Sequence, residues 1–279
     1  MKVGIPLFLL RPEQMPAMAR RADQLGFESV WLPEHLVFPM EITSAYPYSR
    51  DGAPPINPAT PLLDPLVLLA HVAAVTERIR LGTNIYLLPL RHPIAVARMA
   101  MTLDLVSKGR LSLGIGAGWL KEEFDAAGID FASRAGRMRE SVRALRALWT
   151  EAEPQFHGKY FDFGPVKFEP KPIQKPHPPL LFGGESEAAL KRAAELGDGW
   201  YGVGHTPASA AAKVARLRQL LAAAGRSDAP FEITVSCGAI SRSEAAQFAE
   251  AGIDRLVALP WQRPRQAEEK LDQLARELL

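Results

Sequence analysis

Apolar positions along this chain follow two rhythms that alternate from one end to the other. Short apolar runs at 3–8, 29–32, 79–85, 110–116, 180–183, 199–203, 231–236 and 255–259 read as strands. Between them lie stretches with helical spacing at 12–25, 64–76, 93–106, 134–150, 185–196, 207–224, 243–251 and 264–279. In the first of these Met15, Met18, Ala22 and Leu25 share a face, and Gly26 supplies the stop. In the fourth, Met138, Val142, Leu145 and Leu148 form the stripe. Strand–helix alternation implies parallel strands joined by right-handed crossovers. The eight strands predict a single α/β domain over 1–279, a closed (β/α)8 TIM barrel. A doubly wound open sheet is the alternative that the same alternation allows.

Two segments break the rhythm. The stretch 33–63 carries seven prolines, Pro33, Pro39, Pro47, Pro54, Pro55, Pro58 and Pro61. The stretch 153–179 is rich in proline and aromatics, with a possible hairpin over 155–168. Loops this long usually serve function or are disordered. Placed after strand 2 and before strand 5, these two are expected to act as lids that choose the substrate. Their aromatics Phe38, Tyr46, Tyr48, Tyr160 and Phe161 favour an apolar or aromatic guest, or else pack on one another.

Composition narrows the function classes. Of 279 residues, 47% are apolar and 23% charged, as in ordinary soluble globular enzymes. The 33 basic against 31 acidic side chains leave a net charge of +2, which argues against nucleic acid or an anionic membrane as the main partner. Cys237 is the lone cysteine, so no intramolecular disulfide forms. No apolar run approaches the ~20 residues of a bilayer crossing. The amino-terminal run, 3–10, is short for a signal peptide. A cytoplasmic location is the expectation.

A barrel places its chemistry at the carboxyl ends of its strands. There the sequence offers Glu34 and His35, then 84–88, 114–119 and 183–186, and finally His205 and Trp261. The absence of a lysine among them disfavours a Schiff-base aldolase. Histidines and carboxylates show no metal-ligand spacing, so no metal is expected, and no G-x-S-x-G elbow signals acyl transfer. Glycines, small polar groups, aromatics and a histidine remain, a set suited to a flat cofactor. The run Leu113-Gly114-Ile115-Gly116-Ala117-Gly118-Trp119 approximates a dinucleotide fingerprint, but its third glycine is misplaced and no helix opens at once. Its glycines fit a ring system lying against backbone, or a tight turn alone. Gly183-Gly184-Glu185-Ser186 leads into a helix and makes the better anion site, because free N–H groups and the helix dipole favour a phosphate there. Glu185 would oppose an anion unless turned away, and the plainer reading of Ser186 is an N-cap alone.

Several motifs together carry a family resemblance. They are Leu25-Gly26-Phe27-Glu28-Ser29-Val30-Trp31 with Glu34-His35, and Gly82-Thr83-Asn84-Ile85 with Leu88-Pro89-Leu90-Arg91-His92-Pro93. Thr102-Leu103-Asp104, Gly109-Arg110-Leu111 and Gly114-Ile115-Gly116-Ala117-Gly118-Trp119 continue the series. It runs on through Phe156-His157-Gly158-Lys159-Tyr160, Pro170-Lys171-Pro172 with Gln174, Pro178-Pro179 to Gly183-Gly184, and Gly197-Asp198-Gly199-Trp200. The chain resembles the luciferase-like monooxygenase superfamily, and more closely its branch using the deazaflavin coenzyme F420. The resemblance implies a barrel, a homodimer, and a flavin or deazaflavin held at the barrel mouth. It implies a bulge after strand 3, involving Thr83, Asn84 and Ile85, with a cis peptide at Asn84–Ile85. It also implies that His35, beside Glu34, transfers a proton, though a histidine merely capping the strand end is the plainer reading. Gly116, Ala117, Gly118, Trp119, Gly183, Gly184, Glu185 and Ser186 would bind cofactor.

Two departures from the family pattern bear on the chemistry. Trp119 stands where some deazaflavin relatives carry a catalytic glutamate, and no motif aligns the nearby Glu122 and Glu123. Ala117 stands where FMN-using luciferases carry an arginine. The leading expectation is hydride transfer between F420 and an organic small molecule. The alternative is a two-component FMN monooxygenase fed by a separate reductase. From another class comes a non-catalytic flavin-binding protein.

Overall fold

The computed structural model describes residues 1–49, 51–54 and 57–279; Pro55, counted above among the loop prolines, lies outside them. Its first half contains β1 (Lys2–Pro6), α1 (Met15–Leu25), β2 (Ser29–Leu32), α2 (Pro65–Val75), β3 (Arg80–Thr83), β4 (Tyr86–Leu87), α3 (Pro93–Val106) and β5 (Leu111–Gly116). Then come α4 (Lys121–Ala126), α5 (Arg134–Thr150), and a small hairpin of β6 (Phe156–His157) and β7 (Asp162–Phe163). The chain ends with β8 (Leu180–Gly183), α6 (Glu187–Leu196), β9 (Gly199–Val203), α7 (Pro207–Ala223), β10 (Glu232–Cys237), α8 (Arg242–Glu250), β11 (Arg255–Ala258) and α9 (Ala267–Leu278).

The main sheet runs β3-β2-β1-β11-β10-β9-β8-β5-β4, and β3 also pairs with β5, so the sheet closes on itself. Its pairings are all parallel, and β3 and β4 share one stave, which makes an eight-strand α/β barrel. The open-sheet alternative is thereby excluded. Strands such as β2 and β5 are buried along their whole length, which is why they read as continuous apolar runs. The interior is packed: Trp31, Leu181, Tyr201 and Val257 meet there in one cluster from four staves. Helix starts follow local chemistry. Asp64 accepts from the N–H groups of Leu66 and Val67 at the start of α2, and Ser186, Thr206 and Ser241 cap α6, α7 and α8.

Three elements differ from the sequence reading. The third strand, expected as one run over 79–85, is broken between β3 and β4. Helix α4 had no forecast: it is six residues of mostly charged sequence, Lys121–Ala126, too short to show an apolar repeat. Finally, 153–179, expected over the site, packs beside α3 and α5. Glu140 on α5 accepts from the N–H groups of Lys159, Tyr160 and Phe161, and Gln174 is bonded to Asp104 and Leu111. These bonds hold the segment along α3 and α5, and it contributes no residue to the mouth cavity described below.

Candidate functional site

The break in the third strand builds the floor of the site. Gly82 lies opposite Ser112 and Tyr86 opposite Ile115, so 83–85 face only 113 and 114: one extra residue, a bulge. The Asn84–Ile85 peptide within it is cis. Thr83 is fully buried and its Oγ1 donates to the Gly114 carbonyl at 2.7 Å. A Cβ at 114 would land on the Thr83 carbonyl oxygen, and one at 116 on Ile85 Cδ1; at 183 it would stand 2.7 Å from the same carbon. These glycines therefore leave room for the bulge itself. Of the expected cofactor-binding residues, Thr83 and Gly116 are absent from the cavity wall, whereas Gly183 lines it. Above them Asn84 Nδ2 donates to Tyr201 Oη at 3.1 Å, while Asn84 Oδ1 is buried without a partner among the described residues.

Over this floor opens a cavity of about 940 Å³, within the usual range for ligand pockets. Its wall includes Glu34, His35, Asn84, Ile85, Ala117, Gly118, Trp119, Gly183, Gly184, Glu185 and Ser186, brought together from four strand ends. Tyr46 and Tyr48 from the 33–63 loop also line it; Phe38 instead stacks on the His35 ring, with centroids 4.6 Å apart. Tyr160 and Phe161 lie outside, as do His205 and Trp261, whose Nε1 donates to Phe8 O. Sequence reasoning missed Arg134, Arg192, Tyr201, Ser236, Cys237 and Val257. Tyr201, Ser236 and Val257 follow from strand alternation once the barrel closes, but the two arginines come from helices and left no signal. Burial pushes the Cys237 thiol up to about 12, so it stays protonated and unreactive.

The cavity has two chemically distinct ends. At the first, burial raises the Glu34 carboxyl to about 7, opposed by Arg91 and by the Leu87 N–H that donates to it at 2.5 Å. His35 Nδ1 lies 2.8 Å from Glu123 Oε2, on α4, so Nε2 is the ring nitrogen left for the cavity. Neighbouring Glu122 accepts from the N–H and hydroxyl groups of both Thr43 and Ser44. Burial opposes but does not outweigh those donors, which hold Glu122 down at about 2. The two carboxylates of α4 thus pin the start of the 33–63 loop across the barrel mouth.

At the other end, Gly183 to Ser186 lead into α6. Ser186 Oγ accepts from the Ala189 N–H at 3.2 Å, so its cap role is real, and its own hydrogen stays available. Glu185 is turned away: it accepts from the Val203 N–H at 3.0 Å, with His205 Nε2 at 3.1 Å and Lys213 Nζ at 3.2 Å. Burial alone would raise its carboxyl; these partners bring it below the usual range. Arg192 Nε is buried with no hydrogen-bond partner among the described residues. Burial and the nearby Arg139 and Arg134 lower its pKa. This is a cationic corner short of anions.

Comparison with known proteins agrees with this fold. The profile of the luciferase-like monooxygenase family matches residues 9–277. The chain belongs to the luciferase-like monooxygenase family. An uncharacterized Mycobacterium tuberculosis protein, Rv0953c, is 35% identical over 284 residues, covering 100% of this chain and 99% of that one. The FMNH(2)-dependent dimethylsulfone monooxygenase of Pseudomonas putida is 31% identical over 196 residues, 69% of this chain and 53% of its own. The coenzyme F420 dependent tetrahydromethanopterin reductase of Methanopyrus kandleri has the same fold, with a TM-score of 0.80, 18% identity and 99% and 98% of the two chains covered. Proteins of this fold thus include an F420-dependent reductase, and the sequence relatives of this chain include an FMNH(2)-dependent monooxygenase. Among the described residues no helix is long and apolar enough to cross a membrane, and no group of three metal-ligating side chains occurs.

Proposed function

We propose that the chain is an F420-dependent oxidoreductase that passes a hydride between the deazaflavin and a small apolar or aromatic organic substrate. The observation that carries this reading is His35, set in the cavity wall beside the bulge with one ring nitrogen engaged by Glu123 and the other left for a ligand. Imidazole titrates near neutral pH, which suits it to exchange a proton with a substrate hydroxyl or carbonyl as hydride moves. The residues present fit the cofactor. Asn84 and Ile85 would back the ring, and the orphaned Asn84 Oδ1 would gain a donor there. Gly183, Gly184 and Ser186 with Arg134 and Arg192 would take its phosphodiester and acidic tail. Bound there, the cofactor supplies the two-electron chemistry, and the protein supplies binding, orientation and electrostatics. Glu34, joined to Leu87 N–H and Arg91, would hold the bulge in place. Tyr46 and Tyr48 would roof the substrate side. Homodimerisation belongs to the same proposal.

The 31% identity to an FMNH(2)-dependent monooxygenase favours a second reading, oxygen activation by reduced flavin from a separate reductase. Titration of the purified protein with each cofactor, followed by absorbance and fluorescence quenching, separates the two. Saturable binding of F420 without oxygen consumption is expected. Tight FMNH2 binding with oxygen uptake, and none of F420, would overturn the first reading.

A further inference from the structure

We infer that Glu123 is a positioning residue that sets the tautomer of His35, and so decides which of its nitrogens is the base. The inference deepens the reading of His35 as the proton-transfer group. Glu123 sits on α4 with its side chain only 1% exposed. Both of its oxygens are committed to consecutive residues: Oε1 accepts from the Leu36 N–H at 2.5 Å, and Oε2 faces His35 Nδ1 at 2.8 Å. A carboxylate has no hydrogen to offer, so Nδ1 must carry one. In the neutral ring the lone pair then belongs to Nε2, on the cavity side. The ring is also held sterically, between Phe38 at 4.6 Å and the edge of Trp119 at 5.9 Å, measured between centroids. The Leu36 bond indexes the carboxylate to the backbone beside His35, so its distance and direction do not depend on a flexible arm.

This arrangement makes an unusual demand on the amide isostere. In Glu123→Gln the side-chain oxygen keeps the Leu36 N–H, because only oxygen can accept it. The NH2 group is then turned toward Nδ1 and donates to it. The ring must move its hydrogen to Nε2, and the cavity faces a donor in place of a base.

The test uses protein labelled with ¹⁵N at histidine, without cofactor. Histidine ring ¹H–¹⁵N correlations are recorded at alkaline pH, where the imidazoles are neutral, and His35 is assigned from its loss in His35→Gln. The wild-type ring is expected as the Nδ1–H tautomer and the Glu123→Gln ring as Nε2–H. The neighbouring variant Glu122→Gln, which disturbs the same helix, should leave the tautomer unchanged. An Nε2–H ring in the wild type overturns the inference even if Glu123→Gln fails to fold, and so does one tautomer common to both proteins. With turnover established, kcat of Glu123→Gln should fall by about a hundredfold or more, while its affinity for F420 changes little. If the tautomer switches but His35→Gln turns over normally, the positioning role stands and the reading of His35 as the proton-transfer group fails.

Discussion

Glu34 shows how much a strand-end residue depends on its surroundings. The residue is 5% exposed, and burial outweighs Arg91 and the Leu87 N–H to bring its carboxyl to about 7. In the unfolded chain a glutamate titrates near ~4.3. Between those values the folded protein binds more protons than the unfolded one. The contribution of this group is therefore full below the unfolded pKa and lost as pH rises through the folded one. Replacement by an amide removes the titration. The stability of the wild type relative to Glu34→Gln, read from denaturant midpoints, should decline from pH ~4 to ~7 and then level. A difference that stays flat across that range would count against this description. Glu34 and His35 stood out in the sequence because they follow a strand directly. Glu123, 88 residues beyond His35, could not. It belongs to a short charged helix in which no motif aligned Glu122 or Glu123, and only the packing of α4 against the 33–63 loop gives those two carboxylates their partners.

Among the elements, the bulge between β3 and β4 depends most on residue size. Its neighbours at 114 and 116 tolerate no side chain, for different reasons. A methyl at 116 meets the terminal carbon of Ile85, which can rotate; a methyl at 114 meets the backbone oxygen of Thr83, which cannot move without the bulge. Overpacking of this kind costs about 1–3 kcal/mol. Gly116→Ala should fall at the low end of that range and Gly114→Ala at or above the top, measured by chemical denaturation. Equal losses would show that the bulge is softer than its geometry implies. The run of glycines was visible in the sequence and the family resemblance implied the bulge, but nothing linked the two: periodicity reports burial, whereas the pairing of β4 with β5 sets the bulge against those glycines. The same limit applies to 153–179. Its aromatics suggested a roof, and the bonds from Glu140 and Asp104 hold it elsewhere.

Across the molecule a net charge of only +2 conceals a polarised cavity. Acidic side chains that could neutralise the α6 end are already engaged: Glu185 with His205 and Lys213, and Glu195 with Arg139 at 2.8 Å. Arg192 is left facing the cavity with little to balance it. Arg192→Ala is expected to weaken F420 binding by about tenfold, in line with loss of one charge-assisted contact, and to make the affinity less sensitive to salt. Unchanged affinity and salt slope would remove the tail from this corner.

The local order of the chain was determined by the sequence alone. Alternating periodicities dictate which segments bury one stripe and which bury both faces, and eight repeats of that unit have few ways to close. Strand ends therefore announced one side of the cavity wall. Closure decided the rest, since the register of one strand against the next places side chains far apart in the chain within hydrogen-bonding reach. The pairing of His35 with Glu123, the arginine corner and the seating of Ile85 over glycine are consequences of that register, and distance in space leaves no periodic trace along the chain.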